Sequence, residues 1–288
     1  MKIDKEKYMP WLLVLPALIL VFGLTLYPLF HAIYFSARNT DIKTGQDDFI
    51  GLKNYQRLLN FDPDLADSVL RTLIFAVGCL SIQMPLGLGI ALLLNREIKG
   101  KRAFRAIITL PLVAAPIAIG QIWRYMYHYE FGVIKYMVTL LFGTSPNWTA
   151  DPDWALVSLI IFDTWQWTPF VALILLAGLQ GLPPEPYESA TIYGASALQK
   201  FRHITLPKMR PLITLAAIFR IIDLLKTYDP VAAITWGGPG RATELLSYFL
   251  YRVGFYYFWV GYASAISLLF LYGVIFFTVV ALKKIARL

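Results

Sequence analysis

The chain has 288 residues, 58% of them apolar and 15% charged, with a net charge of +8 and a mean hydropathy of +0.58. Soluble domains usually hold about 45–50% apolar and about 25% charged residues, so this composition excludes an ordinary water-soluble enzyme, a disordered chain and a nucleic-acid binder defined by its basicity. One cysteine, Cys79, stands in an apolar stretch, which excludes an intrachain disulfide framework. The chain reads as one all-α integral membrane domain, residues 1–288.

Crossing about 30 Å of hydrocarbon takes roughly 20 helical residues, so the spans are sought in runs without formal charge. Lys2, Lys5 and Lys7 mark a short N-terminal tail, 1–10, and the run 8–37 places helix 1 at 11–36. That run is too long for the core of a signal peptide, and no small-residue cleavage site follows it. The run 72–95 gives helix 2. The run 106–123 gives helix 3 at 105–124, and a segment at 132–142 reads as a short amphipathic helix on the outer surface. The stretch 154–184, interrupted by Asp163, gives helix 4 at 154–180. Helix 5 is set at 211–234 although Arg220, Asp223 and Lys226 interrupt it, and the run 253–282 gives helix 6 at 256–282. Six transmembrane helices are expected.

With the N-terminus inside, the inner segments carry fifteen Lys and Arg, among them Arg96, Lys99, Lys101, Arg102 and Arg105. The longer outer segments carry nine. Inner loops hold the excess of basic residues in membrane proteins, so both termini are expected in the cytoplasm. Topology explains the basic balance, and no nucleic-acid partner is needed.

The inner connection 182–211 is punctuated as though it folds. Pro184 and Pro186 suit a first helical turn, which needs no N–H from them, and Glu185 and Glu188 complement its positive end. Gly194 is placed to end that helix in the left-handed conformation. Ser196 followed by Gln199 is a capping box that opens a second helix, and Pro207 is expected to stop it. Two short helices at the cytoplasmic face, with the small residues Ser189, Ala190 and Ala195, fit either a docking element for another protein or a linker resting on headgroups.

The residues Glu188-Ser-Ala-x-x-Tyr-Gly194-Ala-Ser, then Phe201-x-x-Ile204-x-Leu206-Pro207-x-x-x-Pro211, resemble the EAA motif of binding-protein-dependent ABC importer permeases, with Ser189 in place of an Ala and Tyr193 where Asp is common. Phe49-Ile-Gly-Leu-Lys-Asn-Tyr55, Trp165-x-x-Thr-Pro-Phe170, Thr235-x-Gly-Gly-Pro239 and Gly261-Tyr-Ala-Ser-Ala-Ile-Ser267 are similar to the carbohydrate branch, of maltose and glycerol-phosphate type. The resemblance implies a type I ABC importer transmembrane domain in the bacterial or archaeal cytoplasmic membrane. It also implies a second related permease as heterodimer partner, two copies of a cytoplasmic ABC ATPase, and an extracytoplasmic sugar-binding protein. The cargo would be an oligosaccharide or polyol, or alternatively a glycerol-phosphate ester. ATPase coupling would fall to Glu185, Glu188, Ser189, Ala190, Gly194, Ala195, Leu206 and Pro207. ATP and Mg would bind the partner, since the chain has no Gly-x-x-x-x-Gly-Lys-[Ser/Thr] loop. The chain itself is expected to bind no cofactor and to catalyse nothing.

Charges within spans cost roughly 2.5–3.5 kcal/mol each at the bilayer centre. At 1.5 Å per residue, Asp163 and Arg220 each lie about 14 Å from their nearer surface, and so at one level. Asp223 shares the Arg220 face at i+3. A mutual ion pair fixing helix 4 against helix 5, hydrogen bonding to sugar hydroxyls, and misdrawn helix ends all remain open. Sugars present hydroxyl edges and apolar faces, so Gln121, Asp163, Gln166, Trp167, Arg220 and Asp223 are the candidate substrate path. Trp165 and Trp167 also fit simple packing. Gly87, Gly89, Gly261 and Gly273 are expected to allow close helix contact, with small-residue spacing at Gly87/Ala91 and Gly261/Ala265. His31, His128 and His203 lack metal-ligand spacing. An integral-membrane enzyme and a stand-alone secondary transporter are the competing classes; neither a nucleophile–base pair nor paired halves support them.

Overall fold

The computed structural model describes residues 5–60, 62–97 and 99–285. Residues 1–4 of the expected tail, with Lys2, and Arg287 near the C-terminus lie outside the described residues. The chain divides into two compact units, one comprising residues up to Asp62 with Leu250–Gly273, the other Pro63–Phe249 with the segment from Val274.

In the first unit, α1 (Lys5–Ser36) takes in the last residues of the expected tail and leads into a hairpin, β1 (Arg38–Asp41) and β2 (Gln46–Phe49). An all-α reading omits this hairpin, whose four-residue strands are too short and too polar to show a period. Asp41 makes its turn by accepting from the Lys43 and Thr44 amides at 2.8 and 3.4 Å, the local bond that suits Asp to turns. Arg38 crosses the pair with a two-pronged bond to Asp47, 2.7 and 2.8 Å. Thr40 adds a third bond to Asp47, and these donors hold the Asp47 carboxyl below the ordinary carboxylate range. Helix α2 (Lys53–Leu59) follows, and its Asn54 donates to the carbonyls of Ser36 and Arg38, both at 2.9 Å. Arg57 lies over the Tyr262 and Trp259 rings at 4.2 and 4.9 Å, which ties α2 to the head of α12 (Val260–Ile285). Gly261 lets the head of α12 approach β1 and the end of α1, because a Cβ there would strike the Arg38 carbonyl.

The second unit is built on α3 (Pro63–Asn95) and α7 (Pro152–Gln180), which pack along much of their length. At Gly87 a Cβ would sit 2.6 Å from Val171 Cγ1, so only glycine lets the two backbones approach this closely. Ala91, Leu94, Val171, Leu175 and Leu176 continue the contact in a buried cluster. Gly89 and Gly273 do not act this way; nothing lies within 4 Å of either Cβ position.

The region read as helix 3 is two helices, α4 (Lys101–Val113) and α5 (Pro116–Met126), bent by 97°. Pro116 disfavours helical geometry in the residue before it, and Ala114 and Ala115 are extended, with ψ of 137° and 126°. Absence of charge in 106–123 therefore does not imply one straight helix. Helix α6 (Val133–Phe142) follows, with Ile134 and Val138 packed on the core.

After α7 come α8 (Glu185–Ile192) and α9 (Ala197–Lys200), then a π-helical turn, Phe201–Thr205, and α10 (Leu206–Leu225). Pro207 does not stop the second helix. It stands in the first turn of α10, where its missing N–H costs little, and the wider π turn carries the chain onward. Helix α10 ends at Leu225, short of the 234 expected; a loop and a π turn, Val231–Thr235, complete the segment, before α11 (Leu246–Tyr251) and a further π turn, Arg252–Tyr256. Among the described residues four helices are long and apolar enough to cross a membrane, or five if the bent pair is counted as one span.

Candidate functional sites: a buried polar triangle and a braced elbow

Asp163 on α7 accepts from Arg220 Nη2 on α10 at 2.6 Å and from Gln83 Nε2 on α3 at 2.7 Å. The Arg220 Nε in turn donates to Gln83 Oε1 at 2.9 Å. Three helices thus close a triangle whose corners are each at most 1% exposed. Isolated charges are expensive in such surroundings; a paired and hydrogen-bonded set satisfies them. Asp223 stands 3.9 Å from Arg220 and 3.1 Å from Lys226, while the Trp167 ring lies 5.1 Å from the Arg220 guanidinium, within cation–π range.

Beside this triangle opens a cavity of about 270 Å³, lined by Asp163, Trp167, Arg220, Asp223, Lys226 and Asp229 among others. Four residues expected on a polar path, Asp163, Trp167, Arg220 and Asp223, meet there. Gln121 and Gln166 are not among its lining residues. Gln166 is buried and donates to the Ala114 carbonyl at 3.5 Å, at the break between α4 and α5, where helical bonding has lapsed. Gln121 lies half-buried on α5. Trp165 packs on Trp123, centroids 5.3 Å apart. The residue that sequence reasoning missed is Gln83. Its only signal was an amide in the middle of the apolar run 72–95.

The elbow is assembled by local rules. Pro184 precedes the first turn of α8, which carries Glu185 and Glu188. Gly194, at φ +74°, ends it: the Gly194 amide donates to the Thr191 carbonyl at 3.0 Å and the Ala195 amide to the Ala190 carbonyl at 2.9 Å. That pair of bonds is a Schellman closure. The Ser196–Gln199 capping box starts α9. Two side-chain bonds brace the angle, Tyr187 Oη with Thr205 Oγ1 at 3.0 Å and Lys200 Nζ to Thr191 Oγ1 at 2.8 Å. Glu188 and Ser189 are exposed; Ala190, Ala195, Leu206 and Pro207 are half-buried. At the tip, Ile192, Tyr193 and Leu198 are 84%, 87% and 73% exposed, an apolar knob on a rigid support.

Residues 83–285 match the family of binding-protein-dependent transport system inner membrane components, and the chain belongs to that family. It is 37% identical over 283 residues to the trehalose/maltose transport system permease protein MalF of Thermococcus litoralis, covering 97% of this chain and 94% of that one. It is 31% identical over 263 residues to the sulfoquinovosyl glycerol transport system permease protein SmoG of Agrobacterium fabrum, covering 91% and 85%. The crystal structure of a bacterial ABC transporter involved in import of the acidic polysaccharide alginate superposes with a TM-score of 0.85 over 99% of this chain and 98% of that one, at 20% identity. The fold is the type I ABC importer transmembrane domain, and the chain is a non-catalytic membrane component.

Proposed function

We propose that this chain forms half of the translocation pathway of an ATP-driven importer of a carbohydrate or polyol, with a second related permease as its partner. Two copies of a cytoplasmic ATPase would bind ATP and Mg, and an extracytoplasmic binding protein would deliver the cargo. Six spans are counted by taking α4–α5 and α10 as the third and fifth, with both termini in the cytoplasm. The relatives' names include a trehalose/maltose system and a sulfoquinovosyl glycerol system.

The observation that carries this reading is the mechanical continuity of the elbow. From Ala197 to Leu225 the chain stays helical, and Arg220 lies about 22 Å along it from Thr205 at 1.5 Å per residue. A push on the Ile192–Tyr193–Leu198 knob is therefore delivered along α10 to the triangle and its cavity. Glu185, Glu188, Ser189, Ala190, Gly194 and Ala195 form or shape the docking element; Leu206 and Pro207 start the rod behind it. Gln121 and Gln166, with Asp163, Trp167, Arg220 and Asp223, belong to the pathway or its support.

The test is site-directed crosslinking from Ile192→Cys in a Cys79→Ala background, in membranes containing the whole transporter. A crosslinked product containing the ATPase, formed from Ile192→Cys and not from an exposed site on β2 such as Asp48→Cys, is expected. Equal or no capture from the elbow would overturn the docking role.

A further inference from the structure

We infer that the cavity beside the Asp163–Arg220 pair screens cargo by charge, accepting neutral polyhydroxylated solutes and repelling anions such as phosphate and sulfonate esters; this rests on the proposal that the cavity lies on the transport path. The lining holds three carboxylates, Asp163, Asp223 and Asp229, against two cations, Arg220 and Lys226. Both cations face carboxylates already. The Arg220 fork is spent on Asp163 at 2.6 Å and Gln83 at 2.9 Å, with Asp223 at 3.9 Å from its remaining nitrogen. Lys226 is 3.1 Å from Asp223.

Anion sites in proteins present guanidinium or amide N–H groups turned toward the ligand. Here an entering phosphate or sulfonate would meet an Arg turned toward Asp163 and a surplus carboxylate in the wall. Clefts with low-dielectric walls focus the field of the lining charges, so one surplus negative charge acts more strongly here than on open surface. A neutral polyol meets a different prospect. Its hydroxyls donate to the Asp223 carboxylate, which is 35% exposed, and its apolar CH faces suit the indole of Trp167.

The probe is a cysteine placed in the wall, Thr227→Cys, in a Cys79→Ala background of the complete transporter in vesicles. Two thiol reagents of similar size are used, sulfonatoethyl methanethiosulfonate (anionic) and trimethylammonioethyl methanethiosulfonate (cationic), each rate divided by that with free mercaptoethanol. The corrected cation-to-anion ratio is expected to be about tenfold, the factor that a full charge a few ångströms away produces after partial screening. In an Asp229→Asn background, which leaves two carboxylates against two cations, it should fall toward one. Pro116→Cys, on another wall element, gives a second reading should Thr227→Cys assemble poorly. A corrected ratio of one or less in the otherwise unaltered cavity overturns the charge filter while leaving the pathway intact. Failure of both reagents to react from either membrane side overturns the pathway reading itself, and the filter with it.

Discussion

Arg220 and Asp163 lie 57 residues apart in sequence and 2.6 Å apart in space, with Gln83 bonded to both. This junction joins α3, α7 and α10 at one point inside the bundle. Its value is conditional: removing one partner strands a buried charge, which typically costs about 3–5 kcal/mol, whereas replacing both can be nearly neutral.

Arg220→Met alone and Asp163→Leu alone should therefore each strongly lower the thermal stability of the solubilised transporter. The double variant should recover a large part of the loss, with a coupling of at least about 1 kcal/mol. Fluorescence-detected size exclusion after heating measures it. Additive losses would show that the pair is not an energetic unit.

Gly87→Val should separate α3 from α7, because its Cβ would lie 2.6 Å from Val171 Cγ1. A loss of about 1–3 kcal/mol is expected for overpacking of this kind. Gly89→Ala, with open space at its Cβ, should leave stability unchanged or slightly raised. The same melting assay separates them, and equal effects would contradict the packing described.

Much of this was legible in sequence, and the rest failed for definable reasons. The runs without charge mark the apolar helices, and depth along helices already put Asp163 and Arg220 at one level. Local chemistry at Gly194 and at Ser196–Gln199 set the elbow's ends, because such caps depend on neighbours only. Gln83 was hidden because its partners lie 80 and 137 residues away. The break at Ala114–Ala115 was hidden by counting charges and not weighing Pro116. In sequence Pro207 looks like a stop because a π turn, which no simple periodicity announces, changes where the first turn of α10 begins. Gln166 was placed on a path by its face of the helix, yet its amide serves the broken backbone at Ala114.

That placement makes a distinct prediction for Gln166→Ala. Loss of the donor at Ala114 should lower stability by about 1 kcal/mol, the usual worth of one such bond, and should leave the cargo concentration for half-maximal uptake unchanged. A change confined to that half-maximal concentration, with normal stability, would instead make Gln166 a cargo contact.

The hairpin carries a pH dependence. Asp47 titrates below its ordinary range because Arg38 and Thr40 donate to its charged form. A carboxyl lowered on folding stabilises the folded state above its unfolded value, about pH 3.9. That contribution is lost as pH falls from there through the lowered folded value. Amide exchange across β1 and β2 should thus be constant from neutral pH to about pH 4, after correction for intrinsic rates, and accelerate below. In Asp47→Asn it should be fast throughout, and a profile unaltered by that change would contradict the pairing.

The most direct test of the account is ATP hydrolysis by the complete transporter in proteoliposomes, with its binding protein and cargo present, for Gly194→Asp. At φ +74° the substitution unsettles the end of α8, while no other atom of this chain lies within 4 Å of its Cβ to obstruct folding. Normal membrane insertion and normal basal hydrolysis are expected, with loss of at least nine-tenths of the cargo-stimulated hydrolysis. Full cargo-stimulated hydrolysis in a correctly inserted Gly194→Asp transporter would contradict the claim that this elbow carries the power stroke.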